Sequence, residues 1–219
     1  MIALNNTELA LDLAWLGTSS FHDSLQAQDK VYRNLLSDQQ NFGTVFGLQH
    51  PAVITLGKRG DVLKDVLDSS IEVVEVDRGG QATLHSPGQL VIYPVLHLRR
   101  LKLGVRQYVE ALEQTTIWAL QQLGIEAFTG PQAGVFTARG KIAFVGVRVR
   151  QGVSTHGISI NFSNDLQLFK SIRPCGLCEA SLDQVQNYVE GASLSEFFQV
   201  WARQFRLSLL AKAGNPLES

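Results

Sequence analysis

Apolar residues recur along this chain with two periods, and the periods mark out its elements. Helical spacing governs three long segments. Ser20 caps the first, which runs to about Leu36 with Leu25, Val31, Tyr32, Leu35 and Leu36 as its apolar face. The second spans Val105 to Leu123, with Val105, Tyr108, Leu112, Thr116, Ala119 and Leu123 in line and Gly124 where a C-terminal cap glycine belongs. The third spans Leu194 to about Lys212 and carries Phe197, Phe198, Trp201, Phe205 and Leu209, with Ser193 and Glu196 spaced as a capping box. Two short helices are expected at Asp61 to Leu67 and at Asp165 to Ser171, the latter ending before Pro174.

Alternating or continuous apolar runs predict strands at Leu9 to Leu16, Thr44 to Leu48, Ala52 to Leu56, Ile71 to Val76 and Leu90 to Tyr93. Three more follow in succession at Ala133 to Ala138, Lys141 to Arg150 and Val153 to Phe162. Arg139-Gly140 and Gln151-Gly152 serve as hairpin turns between them. Strands run consecutively with helices between groups instead of alternating strictly, which predicts an α+β fold with a mixed sheet and packed helices. No linker, repeat or low-complexity tract divides the chain, so residues 1–219 are expected to form a single domain.

Composition narrows the function classes. Of 219 residues, 45% are hydrophobic and 18% charged, as in ordinary soluble domains. A net charge of -1 argues against a nucleic-acid binder that works by broad phosphate neutralisation. No apolar run reaches the roughly 20 residues of a membrane span. The first seventeen residues hold Glu8 and Asp12 but no Lys or Arg, unlike a secretory or transit signal. Two cysteines, Cys175 and Cys178, make no disulfide framework, and the expected compartment is the cytoplasm. Local basic clusters remain at Arg99, Arg100, Lys102 and Arg106, and at Arg139, Lys141, Arg148 and Arg150.

The candidate chemistry centres on Arg78-Gly79-Gly80-Gln81-Ala82-Thr83-Leu84-His85, closed by Ser86-Pro87-Gly88-Gln89. Lying between strand-like runs, this segment is too rich in glycine and polar groups to be core. Paired glycines let backbone approach a ligand closely, with Arg, Thr and His as donors around it. The same pattern also suits a solvated hairpin loop. Cys175, in Arg173-Pro174-Cys175-Gly176, is either an accessible nucleophile or a buried small hydrophobe. A nucleophilic role requires a neighbouring cation or base. Lys141, at the head of the apolar strand Ile142 to Val147, is either that cation or the exposed end of a hairpin. Gly157 within a strand marks a close approach, next to His156 and Ser159. Cys175-x-x-Cys178 spacing also admits a redox pair, or a zinc site completed by His85 and His156.

Together, several separated motifs resemble the lipoate-protein octanoyltransferase family, also called lipoyl(octanoyl) transferases. These are Arg78 to His85 with Pro87-Gly88-Gln89, Leu98 to Val105, Gly140-Lys141-Ile142-Ala143, His156 to Asn161, and Pro174-Cys175-Gly176. The resemblance covers about His50 to Gly176. It implies a fold like the biotin/lipoate ligase catalytic domain, and an octanoyl group passing from octanoyl-acyl carrier protein to a lysine of a lipoyl domain. The acceptors implied are 2-oxoacid dehydrogenase complexes and the glycine-cleavage H protein; nucleic acid and membrane are not among the partners. By the same resemblance Cys175 becomes an acyl thioester and Lys141 lowers its pKa. Arg78, Gly79, Gly80, Gln81, Ala82, Thr83, Leu84, His85, Phe144, Val145, Gly146, Gly157, Ile158 and Ser159 contact substrate. Backbone N–H groups around the glycines would steady the carbonyl oxygen. No metal or nucleotide cofactor is implied, since a thioester donor is already activated, and no P-loop pattern occurs. The Arg99/Arg100/Lys102/Arg106 cluster is the expected dock for acidic partner domains. Ser86 stands where most members carry Gly, so a narrowed pocket or a demanding φ is expected there.

Overall fold

The computed structural model describes residues 10–37, 41–173 and 181–214. Pro174, Cys175, Gly176 and Cys178, with the motif they form, lie outside the described residues. The chain opens with β1 (Leu11–Thr18) and α1 (Phe21–Ser37), where Ser20 Oγ accepts the Asp23 amide as the expected cap. β2 (Gly43–Gln49), β3 (Val53–Leu56), the single turn α2 (Val62–Asp65), β4 (Glu72–Glu75), β5 (Ala82–His85) and β6 (Gln89–Leu96) follow. After α3 (Val105–Gln121) come β7 (Phe128–Thr129), β8 (Gly134–Thr137), β9 (Gly140–Arg150) and β10 (Val153–Asn161). A 3-10 turn at Leu166–Ser171, another at Val185–Asn187 and α4 (Leu194–Gly214) complete it.

Seven strands form one sheet in the order β1-β2-β6-β10-β9-β8-β7, and β4-β3-β5 form a second. β1 runs parallel to β2 and β4 parallel to β3, while the other pairs are antiparallel, so the sheets are mixed as predicted. Alternation along β6 separates two cores. Leu90, Ile92 and Leu96 face α3 and α4, where Trp201, Phe205 and Tyr108 are wholly buried. Val91, Tyr93 and Val95 face α1 through Tyr32 and Leu35. A third cluster of Ile54, Leu56, Leu84, Phe169 and Ile172 belongs to the small sheet. Among the described residues no helix is long and apolar enough to cross a membrane.

Several expectations shift. The opening motif is not all loop: Ala82 to His85 pair with β3, and Ala82, Leu84, His85 and Ser86 are buried. Leu36 and Val105 are exposed, because α1 turns Phe21, Ser24, Gln28, Tyr32 and Leu35 inward and α3 begins its buried stripe at Tyr108. The first hairpin turn is Ala138-Arg139, one residue early, because Gly140 already pairs with Thr137. Gln151-Gly152 holds as expected, with φ of 52° and 82° that suit a tight hairpin between twisted strands. Ser86 takes no left-handed backbone and does not line the cavity described below; the positive φ of its segment falls on Gly88.

Candidate active site

Lys141 is 5% exposed, which overturns the exposed-hairpin alternative. Its position follows from a bulge. Val135 pairs with Ala143 but Phe136 pairs with Lys141, so Ile142 is an extra residue opposite the Val135–Phe136 link. The offset brings Lys141 and Phe144 to one side, with Nζ 5.0 Å from the Phe144 ring centre and 5.1 Å from that of Phe136. Nζ donates to the Ala133 carbonyl at 3.0 Å. Gly134, next in the chain, makes room: a Cβ there would stand 2.7 Å from Lys141 Cε. Buried Glu113 of α3 accepts the Gly134 amide at 2.7 Å, so a helix carboxylate fixes the turn that receives the ammonium.

Lys141 also meets the chain that follows Cys178. Its amide donates to the Ser181 carbonyl at 2.8 Å and its carbonyl accepts the Asp183 amide at 3.0 Å. Gly140, at φ +151°, permits this approach, since a Cβ would collide with the Ser181 carbonyl. Asp183 is a knot. Its carboxylate accepts from Thr137, from Tyr188 at 2.6 Å, from Asn187 at 2.7 Å and from the Gln184 amide at 2.9 Å. Burial pushes its pKa up, but the bonds from Thr137, Tyr188 and Asn187 prevail and hold the carboxyl below its ordinary range.

A cavity of about 490 Å³ opens beside Lys141, between the large sheet and the small one. Of the residues expected at substrate, Arg78, Gly79, Gly80, Gln81, Ala82, Thr83, His85, Phe144, Val145, Gly146, Gly157, Ile158 and Ser159 all line it. Leu84 does not, because alternation on β5 sends it into the small sheet's core at zero exposure. Arg78 is not the solvated side chain of a hairpin loop. It is 7% exposed and donates through Nη2 to Thr55 O at 2.7 Å and Thr55 Oγ1 at 2.8 Å, and through Nη1 to Gly79 O at 2.8 Å. The Gly79 amide donates to Val147 O at 3.2 Å, so that N–H is already engaged within the fold. Gly146 leaves room for the Arg78 stem, and Gly157 lets β10 press against the Ile92 carbonyl.

Sequence reading missed Phe21, Thr55, Val91 and Tyr93 as lining residues. The available signal for Tyr93 was its parity with Val91 on β6; Phe21, at the first turn of α1, gave none.

His85 and His156 line the cavity, His50 packs against His85 with ring centres 5.6 Å apart, and all three are neutral at pH 7. Burial brings His85 down to about 3, helped by His50 and Arg78 and opposed by its bond to Gln89. Burial holds His50 at about 4, partly offset by the Ser19 carbonyl. Burial, then Arg78 and Arg148, holds His156 at about 4, so its 3.6 Å approach to Asp77 is not an ion pair at neutral pH. The His85 tautomer follows from its neighbours. Gln89 Nε2 donates to Leu84 O and Asn161 Oδ1, which leaves Oε1 to accept from His85 Nδ1–H at 2.7 Å. His85 Nε2 is therefore an acceptor. His85 and His156 share the cavity, and among the described residues no three His, Cys, Asp or Glu side chains converge as metal ligands.

Both basic clusters are partly engaged in the fold. Arg100 donates to Leu35 O and Asn41 O, while Arg99, Lys102 and Arg106 of the first cluster stay exposed, Arg106 in a surface pair with Glu110. Arg139 stacks on Tyr188, Arg150 on Tyr32, and Arg148 pairs with Asp77.

Residues 20–206 match the lipoyl protein ligase A/B catalytic domain family. An octanoyltransferase of Cellvibrio japonicus is 39% identical over 201 residues, which cover 91% of this chain and 93% of the relative. One from Marinobacter nauticus is 41% identical over 180 residues, covering 82% and 84%. Among solved structures, lipoate-protein ligase A bound with ATP superposes with a TM-score of 0.76 at 18% identity, covering 93% of this chain and 86% of that one. That last likeness concerns the fold. On the sequence matches, this chain belongs to the octanoyltransferases, within the lipoyl protein ligase A/B catalytic-domain family.

Proposed function

We propose that the chain moves an octanoyl group from octanoyl-acyl carrier protein to a lysine of a lipoyl domain, through a thioester on Cys175. Residues 1–219 act as one catalytic domain in the cytoplasm. The acceptors are lipoyl domains of 2-oxoacid dehydrogenase complexes and the glycine-cleavage H protein. The observation that carries this reading is the setting of Lys141: a buried ammonium at the end of a large cavity, with its backbone bonded to Ser181 and Asp183, six and eight residues beyond Cys175.

The two steps balance without a nucleotide. Cys175 gives up its proton, a change favoured by a nearby ammonium, and the thiolate attacks the donor thioester carbonyl. The carrier thiol leaves and takes up a proton. The acceptor amine then attacks the Cys175 thioester, an amide forms, and the sulfur leaves as thiolate to be reprotonated. Lys141 acts as counter-charge in the first step and relays the proton in the second. The octanoyl chain lies in the cavity, where burial contributes about 0.8 kcal/mol per CH₂.

A ligase chemistry on the same fold would instead pass through an acyl-adenylate. Transfer from octanoyl-acyl carrier protein to a purified lipoyl domain, followed by mass spectrometry, separates the two. The expected result is full transfer without ATP and no acceleration on adding it; a strict requirement for ATP would overturn the reading.

A further inference from the structure

Behind the first cavity lies a second of about 520 Å³, walled by Gln28 and Tyr32 of α1, Asp77, Arg148, Arg150 and Thr155. Among the described residues His156 alone lines both. Its place there is built by an unusual backbone. Ile158 and Ile160 of β10 face the α3/α4 core, and strict alternation would send His156 the same way. At φ +58° the alternation breaks, and the ring stands edge-on to Tyr93, 6.2 Å away, on the opposite face of the sheet. The His156 amide donates to Gln28 Oε1 at 2.8 Å, and Asp77, itself held by Arg148, backs the ring from the far side.

Distance along the sheet gives this partition a meaning. Phe144, whose ring touches Lys141, pairs with Ser159, and His156 pairs with Val147, three residues on. At a rise of about 3.3 Å per residue the ring closes the groove about 10 Å from the Lys141 end. An octanoyl chain has seven C–C links, each advancing about 1.25 Å, and so spans about 9 Å. A longer chain would have to displace the ring and enter a space bounded by charged groups, separating polar partners that methylene cannot replace.

We propose that His156 is the end wall of the acyl groove and sets the upper limit of chain length, with the second cavity as the volume a longer chain would take. This rests on the octanoyl-transfer reading above and adds a specificity-determining residue to it.

His156→Gly removes the ring and suits the observed φ without strain, while retaining the amide that Gln28 accepts. Asp77→Ala leaves the ring but removes the carboxylate beside it, at a half-exposed position. The probes are octanoyl, decanoyl and dodecanoyl thioesters of acyl carrier protein, with kcat/KM measured for each. The wild type should use octanoyl and lose at least tenfold by dodecanoyl. In His156→Gly the dodecanoyl-to-octanoyl ratio should rise at least tenfold, well within the roughly fourfold per CH₂ that burial provides. Asp77→Ala should move the ratio the same way by a few fold, and it decides the matter if the glycine variant does not fold. If octanoyl is transferred but the folded variants keep the wild-type ratio within twofold, the inference fails and the octanoyl reading stands. A wild type that uses dodecanoyl as well as octanoyl also overturns it. No octanoyl transfer at all would instead remove the functional reading beneath.

Discussion

His50, His85 and His156 are uncharged in the fold because burial strips them of water, with values of about 4, 3 and 4 against an ordinary value near 6.5. The unfolded chain therefore binds more protons than the folded one below pH 6.5, and stability must fall as pH drops from there toward 4. Each histidine contributes up to about 1.4 kcal/mol per pH unit in that window. Urea unfolding at pH 7 and pH 5 should show a clearly lower midpoint at pH 5; equal midpoints would mean the rings are charged or solvated. This cluster was only half legible in the sequence. His85 and His156 stood out by their glycine neighbours, but His50 did not, and nothing local revealed the left-handed backbone of His156. Lys141 could be singled out because an ammonium at the head of an apolar strand demands an explanation. The bulge at Ile142 that aims it could not be seen, since it depends on which residue of β8 each residue of β9 faces.

Helix α3 does more than cover the sheet. Glu113 reaches the Gly134 amide, and the adjoining Ala133 carbonyl receives Lys141, so one carboxylate links helix, turn and strand. Glu113→Ala should lower kcat for acyl loading by about ten- to hundredfold, as a displaced catalytic group does, while KM stays within a few fold. Glu113→Gln keeps an acceptor for the Gly134 amide and should recover most of that loss. Equal losses in both variants would show that Glu113 acts by its charge and not by holding the turn. The three long helices were readable from periodicity, because each buries a single face, and β2, β3 and β6 from short continuous apolar runs, because both of their faces are buried. What could not be read was partnership: the parallel pairing of β1 with β2, the short β7, and the division of strands into two sheets. Ala82 to His85 shows why. Its alternation is too brief to signal a strand by itself, and β3 on one side makes it one.

The two sheets face each other across the cavity, and this arrangement gathers residues from β3, β5, β6, β9, β10 and α1 around one space. Net charge is -1 over the whole chain, while Arg99, Lys102 and Arg106 stay exposed at the start of α3. The central claim is that this space presents an acyl chain to Cys175, with Lys141 as its cation. Intact-mass measurement after incubation with octanoyl-acyl carrier protein tests it most directly. The wild type should gain one octanoyl increment, mapped to Cys175 and discharged by an added lipoyl domain. Cys175→Ala should gain none, and Lys141→Ala should load slowly with partial recovery at higher pH. Modification of the lipoyl domain by Cys175→Ala at the wild-type rate would contradict the account.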